Sequence, residues 1–382
     1  MTPSKQCKFF IIAGEPSGDL HAASLIKELK AIIPESLFWG IGGEKMIAAG
    51  LNSLQDISGM AVMGFAEVIH KYNFFKQVYN KALNFVKTER PDAVILVDYP
   101  GFNLRFAADV HKMGIKTIYY ICPQVWAWHQ SRIKKMAKII DLLITIFPFE
   151  KNYFQNTGLQ TEFVGHPFVD LIKVEKNLPL ASIPWEGNIH LALLPGSRRQ
   201  EVARIAPVLL HASYLLEKKI KGLGIILASP SDKITAYIKE ISASFKYLPS
   251  RWNIVTGITR QVIRQATAAF VASGTATVET ALFHCPMVIT YKTSLLSYFL
   301  AKLLIKVPYI GMVNIIAEKK VCPELIQYNA TPESLANAIL PLLTNTHERD
   351  IMITHLKEVE SKLGSGNSAH KAAVFIKNTL QI

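Results

Sequence analysis

Short β-rich runs alternate with helix-length segments along this chain, and this alternation is the feature that most restricts its fold. "FFIIAG" precedes a predicted helix over residues 20–31, "AVILVDY" precedes one over residues 104–113, and "KTIYYICP" follows at once. Strands that are joined through helices pair in parallel and are buried on both faces. The first half of the chain is therefore predicted to be Rossmann-like.

The same alternation begins again after a break. Proline, glycine and charged residues cluster between residues 169 and 188, and "HLALLPGS" then opens a second series that continues through "GIILAS", "AAFVASG" and "PMVITY". We predict an α/β protein with two Rossmann-like doubly wound domains facing a cleft. The expected parts are a first domain (1–170), a linker (171–188), a second domain (189–345) and C-terminal helices (346–382).

Composition narrows the possible partners and the compartment. Half of the 382 residues are apolar and 19% are charged, which is typical of a globular chain with large cores. The formal net charge of +13 calls for an anionic partner. The four cysteines lie far apart without metal-ligand spacing, so buried thiols in a reducing, cytosolic compartment are expected and no metal site is. No signal peptide or transmembrane helix is predicted, because no apolar stretch approaches the roughly 20 residues that a span requires.

The first glycine turn, "AGEPSGDLHAASL", suits a hydroxyl-rich ligand better than a nucleotide. Gly14 and Gly18 allow a tight turn, and Ser17 or Asp19 can cap the following helix. The spacing is not G-x-G-x-x-G, and the carboxylates of Glu15 and Asp19 would repel a diphosphate. An ordinary capped turn between strand and helix accounts for these residues equally well.

The stretch "LLPGSRRQEV" predicts a phosphate site. Gly196 lets backbone amides approach a ligand, Ser197 can cap, and the following helix offers its positive N-terminal end. Arg198 adds a two-pronged donor that matches phosphate oxygens.

Two further strand ends carry candidate residues. "VASGTATVETAL" puts Ser273, Gly274 and Thr275 after a strand and Glu279 one turn into a helix, where its carboxylate can bind both hydroxyls of a ribose or serve as a capping group. Asp98 ends the apolar strand of "VILVDYPGFNL", and a carboxylate is costly there unless it is hydrogen-bonded or used. We expect Asp98 to be functional.

Many motifs occur together in one order: "AGEPSGD", "GIGGEKM", "VDYPGFN", "CPQVWAWHQSRIKKM", "FPFEKNYF", "FVGHPFVD", "LLPGSRRQEV", "ASGTATVETAL" and "NIIAEKKVCPELIQ". In this the chain resembles the lipid-A-disaccharide synthase family over residues 9–327. The resemblance implies an inverting glycosyltransferase of the GT-B type that uses no metal and no cofactor. It would transfer the sugar of UDP-2,3-diacylglucosamine to 2,3-diacylglucosamine 1-phosphate and release UDP, giving the β-1,6-linked lipid A disaccharide 1-phosphate.

The resemblance also implies roles for the candidate residues. The second domain would bind the UDP-sugar donor, with the diphosphate at Gly196, Ser197 and Arg198. The other residues implied to line the donor are Ser273, Gly274, Thr275, Glu279 and Asn314. The first domain would bind the acceptor near Glu15, Ser17 and Asp19, and Asp98 would be the catalytic base.

Both substrates of that family carry acyl chains, so a membrane contact is expected. In "GFAEVIHKYNFFKQVY" an apolar helical face is surrounded by lysines, as a helix lying on an anionic membrane surface requires. The predicted contacts are Phe65, Val68, Ile69, Tyr72 and Phe75. A helix that packs its apolar face on the core would have the same periodicity. We expect a cytoplasmic protein peripherally attached to the cytoplasmic face of the inner membrane.

Three other classes of protein would each explain some of these sequence features. A nucleic-acid partner is not expected, because the basic residues are dispersed and no recognised binding motif is present. A nucleotide-sugar epimerase of the same fold would share a UDP site but would not need the apolar helix. A non-catalytic lipid-binding scaffold would keep that helix but would have no use for Asp98.

Overall fold

The computed structural model describes residues 6–57, 72–128, 130–294, 298, 302 and 307–382. The chain forms two compact units, which are described separately. The first comprises Met1–Pro167 and Ser365–Ile382, and the second comprises Phe168–Gly364.

The first unit is built on a seven-stranded parallel sheet. Its strands are β1 Lys8–Ala13, β2 Leu37–Ile41, β3 Leu51–Gln55, β4 Ala93–Val97, β5 Lys116–Tyr120, β6 Leu142–Thr145 and β7 Gln160–Phe163. They lie in the order β3-β2-β1-β4-β5-β6-β7. Every residue of β4 is buried, as expected for a central strand covered by helices on both faces.

Helices connect these strands and close the core. They are α1 Pro16–Ile32, α2 Glu44–Ala48, α3 Tyr72–Glu89, α4 Pro100–Lys112, α5 Val125–Trp128, α6 Ser131–Ile139 and α7 Glu150–Phe154. Aromatic rings fill the space between the sheet and two of these helices: Phe10 packs against Phe85 of α3 and Phe106 of α4, with ring centroids 5.5 and 6.0 Å apart.

The second unit has a six-stranded parallel sheet of the same kind. Its strands are β8 Ile189–Leu194, β9 Leu223–Ser229, β10 Trp252–Thr256, β11 Ala268–Ala272, β12 Met287–Tyr291 and β13 Glu324–Ile326. Their order is β10-β9-β8-β11-β12-β13. The predicted α/β class with two doubly wound parallel sheets is confirmed.

The helices of the second unit begin at its boundary with the first. They are α8 Pro167–Asn177, α9 Arg199–Glu217, α10 Asp232–Ser242, α11 Thr259–Gln265, α12 Thr275–Leu282, α13 Met312–Ala317, α14 Pro332–Thr344 and α15 Thr346–Lys362. None of the described helices of the chain is both long enough and apolar enough to cross a membrane.

The segment expected to be a linker, residues 171–188, belongs to the second unit. Most of α8 lies in it, and the Arg264 guanidinium donates hydrogen bonds to the backbone carbonyls of Glu175, Lys176 and Leu178 at 2.7–3.0 Å. The Gln265 amide donates to the carbonyl of Ala181 at 2.9 Å. These bonds tie the proline-rich stretch to the helix before β11.

The C-terminal helices, expected as one block over residues 346–382, are divided between the units. Helix α15 belongs to the second unit, whereas α16 Ser368–Leu380 belongs to the first and packs on α1. His370 Nδ1 lies 2.9 Å from Glu28 Oε2, and Lys377 donates to the carbonyl of Ile32. The apolar face of α16, including Ala373 and Ile376, is fully buried.

Candidate active site

In each sheet the candidate residues follow the two strands between which the strand order reverses. In the first sheet these strands are β1, followed by residues 14–19, and β4, followed by Asp98. In the second they are β8, followed by residues 196–198, and β11, followed by residues 273–275. At such a reversal the connecting helices leave toward opposite faces of the sheet, and a ligand crevice opens at the carboxyl ends of the strands. Each unit therefore has one edge at which this fold can form a ligand site.

The turn that carries Asp98 has an unusual backbone. Asp98 and Tyr99 both have left-handed conformations, with φ of 47° and 49°, which are uncommon for residues other than glycine. Hydrogen bonds hold the turn: the Asp98 N–H donates to the Tyr120 carbonyl at 3.1 Å. The Asp98 carbonyl accepts from the Tyr119 hydroxyl at 2.6 Å and from the Asn103 amide at 2.8 Å. Strain that is held in this way is characteristic of functional positions.

The Asp98 carboxyl is unusually basic for an aspartate. Burial and, to a smaller extent, the nearby negative charge of Glu15 raise its pKa to about 6, although a hydrogen bond from the Tyr99 backbone acts in the opposite direction. A carboxylate with a pKa near neutrality is ionised at working pH and still accepts a proton effectively. The site can therefore carry out general base chemistry.

Gly14 is required by an aromatic contact. A Cβ at this position would lie 2.4 Å from the ring of Tyr99, which is too close for any side chain. The glycine of the first motif thus permits the close packing of Tyr99, the residue after Asp98, against the end of β1.

Asp19 has a different role from the one expected. It is buried, and its carboxylate accepts hydrogen bonds from the backbone N–H groups of Gly43, Lys45 and Met46 at 2.7–3.2 Å. It therefore caps α2 and not its own helix, and it does not face an acceptor. Helix α1 begins after Glu15 without a side-chain cap, so the capping role expected of Ser17 is also absent. Glu15 and Ser17 are exposed at this edge.

Glu150 is a buried carboxyl that the sequence motifs did not mark as a candidate functional residue. It accepts hydrogen bonds from Trp126 Nε1 at 3.1 Å and from the backbone N–H groups of Ile146 and Phe147 at 3.3 and 3.1 Å. Burial raises the pKa of Glu150 to about 8, which the three hydrogen bonds oppose and the charge of Asp98 reinforces. The signal in the sequence was one glutamate among the aromatic residues of "FPFEKNYF".

The phosphate motif forms an open helix N-terminus in the second unit. Gly196 has φ of 110°, and a Cβ there would lie 2.7 Å from the carboxylate of Glu201. Helix α9 begins after Arg198, and no side chain caps it, so Ser197 is not the cap that was expected. The Arg198 side chain is 66% exposed and only 3.4 Å from Glu201, whereas the Arg199 guanidinium lies 4.2 Å from the Tyr237 ring centroid. Arg198 is therefore accessible to a ligand.

The second strand end of this edge also has open space. Gly274 has φ of 144° and precedes α12, and a Cβ built on it would meet no atom within 4 Å. Gly274 and Thr275 are exposed. The Ser273 hydroxyl instead donates a hydrogen bond to the carbonyl of Ile310 at 2.9 Å. Backbone amides at the start of α12 are thus accessible to an anion.

Glu279 is half-buried and has a partner that the sequence did not reveal. Arg260 Nε donates to Glu279 Oε1 at 2.8 Å. The guanidinium of Arg260 also lies 5.9 Å from the Phe168 ring centroid. One carboxylate oxygen is therefore held in place, which leaves the second as an acceptor for a ligand. A capping role is not seen, because Glu279 lies inside α12.

Asn314 lies in the interior and not at a surface that a donor could reach. Its amide nitrogen donates to the Cys322 carbonyl and to Glu324 Oε1, both at 2.8 Å. Its oxygen accepts from the N–H groups of Val321 and Cys322 at 2.8 and 2.9 Å. All four hydrogen-bonding positions of the amide are used. Asn314 therefore does not contact the UDP-sugar donor as expected. It fixes the segment that leads into β13.

The expected membrane contacts are only partly described. Phe65, Val68 and Ile69 lie outside the described residues. Tyr72 is 60% exposed, as a surface contact would be, whereas Phe75 is half-buried and packs against the core of the first unit. Phe75 therefore fits the core-facing interpretation, and the interfacial interpretation of this helix stays a prediction. Within the described residues no cluster of histidine, cysteine and carboxylate side chains could hold a metal ion.

Solved structures with this arrangement include a UDP-sugar epimerase and a glycosyltransferase. A UDP-N-acetylglucosamine 2-epimerase from Listeria monocytogenes superimposes with a TM-score of 0.67 at 14% identity, over 99% of this chain and 97% of that one. The calicheamicin glycosyltransferase CalG4 does so with a TM-score of 0.58 at 13% identity, over 99% of both chains. At these identities the likeness defines the class of fold, the GT-B type.

The amino-acid sequence defines the family within that class. The model of the lipid-A-disaccharide synthetase family matches residues 9–377. Lipid-A-disaccharide synthase of Syntrophus aciditrophicus is 39% identical over 96% of both chains, and that of Nitrosococcus oceani is 40% identical over 93% of this chain and 92% of that one. The chain belongs to the lipid-A-disaccharide synthetase family, as the motifs predicted.

The raised pKa of Asp98 predicts how its substitution changes stability. Folded Asp98 binds its proton more tightly than unfolded Asp98, so stability is full below about pH 4 and is lost as the pH rises through about 6. Asp98→Asn should therefore raise the free energy of unfolding by about 1–3 kcal/mol near pH 8 and leave it unchanged near pH 4. Urea unfolding at both pH values measures this.

The exposed Glu35 provides the control for this prediction, because Glu35→Gln removes a charge without relieving burial. A less stable Asp98→Asn protein near pH 8 would contradict the prediction, since it would show that the carboxylate stabilises the turn.

Proposed function

We propose that this protein transfers the diacylglucosamine of a UDP-2,3-diacylglucosamine donor to the 6-hydroxyl of 2,3-diacylglucosamine 1-phosphate. A bond forms between the acceptor oxygen and the anomeric carbon as the bond from that carbon to the diphosphate breaks. UDP leaves with the bonding electrons, and the acceptor proton passes to the enzyme. Inversion at the anomeric carbon gives the β-1,6-linked disaccharide. Family membership supports the reaction, and the basic carboxyl of Asp98 is the observation that carries it.

Asp98 is the proposed general base. The oxygen nucleophile must lose its proton as the new bond forms, and a carboxylate within hydrogen-bond reach can accept it. Two features support Asp98: its strained, hydrogen-bonded turn at the end of β4 and a pKa raised to about 6. The exposed carboxylate of Glu15, at the adjacent strand end, suits sugar hydroxyls of the acceptor, with Ser17 beside it.

The second unit is the proposed donor site. Uncapped N–H groups at the start of α9, together with the accessible Arg198, suit a diphosphate, and the open backbone at Gly274 and Thr275 adds further donors. Glu279, held by Arg260, is proposed to accept hydrogen bonds from the ribose hydroxyls. Ser273 and Asn314 are proposed to support this site indirectly: Ser273 bonds the Ile310 carbonyl, and Asn314 fixes the segment that leads into β13.

We also propose that the protein works in the cytoplasm, attached to the cytoplasmic face of the inner membrane. Two observations support this: the net charge of +13, which favours anionic lipid, and the exposed Tyr72 at the start of α3. The acyl chains of both proposed substrates reside in a membrane, so an enzyme acting on them must approach its surface.

Arg198→Ala should weaken UDP binding. Loss of a charge-assisted phosphate contact costs about 1.5–3 kcal/mol, or roughly 10- to 150-fold in Kd. Titration calorimetry with UDP measures the change. Arg199→Ala is the matched control, because the Arg199 guanidinium packs on Tyr237. Equal losses in the two variants would remove Arg198 from the phosphate site.

Asp98→Asn should lower turnover without weakening donor binding. The amide keeps the shape of the side chain but cannot accept the proton, so the rate should fall by about 10²- to 10⁴-fold. The wild-type rate should also decline as the pH falls below about 6, because protonated Asp98 is inactive. UDP release is measured with the donor alone and with donor plus acceptor.

The two incubations separate the candidate functions. Release of UDP only in the presence of acceptor supports transfer, whereas conversion of the donor alone supports an epimerase. Near-normal turnover of Asp98→Asn would exclude Asp98 as the base.

Membrane attachment predicts the effect of removing apolar side chains. Replacing Val68, Ile69 and Tyr72 with serine should release the protein from vesicles containing anionic lipid, because apolar burial and lysine attraction both contribute. Sedimentation with vesicles measures binding, and Tyr328→Ser, at an exposed tyrosine of the second unit, is the control. If the triple variant instead lost its thermal unfolding transition, the core-facing interpretation would hold.

A further inference from the structure

A cavity of about 540 Å³ opens in the first unit between α3 and the start of α4. Its walls are mostly aromatic, with Phe75 and Tyr79 on one side and Tyr99 and Phe102 on the other. This volume lies within the range of small-molecule sites, which run from roughly 300 to 1,000 Å³. We call this cavity the aromatic groove.

The walls of the aromatic groove are held in place from behind. The ring of Tyr79 packs edge-on against Phe102 and Phe106, with centroids 5.4 and 5.5 Å apart. The Tyr79 hydroxyl donates to Asp109 at 2.7 Å, so its polar atom already has a partner and its ring is free to contact an apolar ligand. The groove therefore exists before a ligand arrives.

Two cations stand in the otherwise apolar lining. Lys76 and Arg105 line the groove and are exposed, and no ion pair among the described residues involves either one. An apolar groove with two cationic side chains at its side suits an anionic amphiphile, whose chain fills the groove and whose phosphate meets the cations.

The aromatic groove is also continuous with the proposed catalytic turn. Tyr99 lines the groove and is joined by one peptide bond to Asp98. A ligand in the groove can therefore reach the turn that carries the proposed base.

We propose that the aromatic groove binds one acyl chain of the phosphorylated acceptor, with Lys76 and Arg105 facing its phosphate. The inference rests on the function proposed above and adds to it an acceptor subsite. Chain binding at this place aligns the sugar with Asp98, so the groove selects acceptors by the length of their acyl chains. It also gives Phe75 a role in substrate binding in place of membrane contact.

Gly101 offers a direct test. It lines the groove at the start of α4, its φ is not in the left-handed region, and a Cβ built on it meets no atom within 4 Å. Gly101→Trp therefore puts a large side chain at the groove without displacing backbone. His111→Trp is the matched control, because His111 is exposed on the same helix and does not line the groove.

The experiment measures KM for acceptors with acyl chains of graded length in a fixed detergent, together with glucosamine 1-phosphate, which has none. In the wild type each added methylene should lower KM by up to about fourfold until the groove is full. Gly101→Trp should flatten this dependence and raise KM at least about tenfold for the longest chain. KM for glucosamine 1-phosphate and the UDP affinity should not change, and His111→Trp should behave as the wild type does.

A second variant tests the charge. Arg105→Gln should raise KM for the phosphorylated acceptor about tenfold and leave KM for its dephosphorylated analogue unchanged. If Gly101→Trp does not fold, as judged by circular dichroism and UDP affinity, Gly101→Leu replaces it.

Three outcomes would overturn the proposal or its basis. An unchanged dependence on chain length in Gly101→Trp would show that the groove does not hold the acyl chain. Loss of vesicle binding by that variant, with normal chain-length dependence in detergent, would make the groove a membrane contact. If the wild type released no UDP with any acceptor, the proposed function itself would be wrong, and the acceptor subsite that rests on it would fall with it.

Discussion

The reversal of strand order in each parallel sheet is the constraint on which both candidate sites depend. Parallel strands need helical connections, and these cover both faces of the sheet, so ligands can approach only at the strand ends. Between β1 and β4, and again between β8 and β11, the helices diverge. All four motifs that were singled out as strand ends lie at these two reversals. The fold thus brings together residues that are separated by 75 or more positions in the sequence.

Buried polar side chains hold these edges in shape. Asp19 fixes the start of α2, Glu150 joins Trp126 to the end of β6, and Asn314 fixes the segment leading into β13. Each has several backbone partners, because a buried polar group without a hydrogen-bond partner would destabilise the fold. Several polar residues of the family motifs are therefore structural, whereas the charged side chains Asp98, Glu15, Arg198 and Glu279 are exposed or only partly buried.

The two edges also differ in charge in the way that their proposed ligands require. Glu15 and Asp98 make the edge of the first sheet acidic, and the resulting repulsion contributes to the raised pKa of Asp98. At the edge of the second sheet, the exposed Arg198 and the uncapped start of α9 supply positive charge beside Glu201. A diphosphate suits the second edge and a sugar hydroxyl the first. In the proposed function the diphosphate of the donor and the acceptor hydroxyl that loses its proton therefore use separate sheets.

The sequence by itself determined the fold class, the position of Asp98 at a strand end and the position of the phosphate motif. These follow from local patterns: the alternation of apolar strands with helices, glycine at tight turns, and a carboxylate ending an apolar run. Only the tertiary structure decided which polar residues are buried and which are accessible. Asp19 and Asn314 were expected at the substrates and lie in the interior, because their partners, Gly43 and Glu324, are set by packing and not by spacing. Arg260 beside Glu279, the aromatic groove and the attachment of α16 to α1 were not predictable for the same reason: each joins surfaces of separate helices, and periodicity does not specify which helices meet.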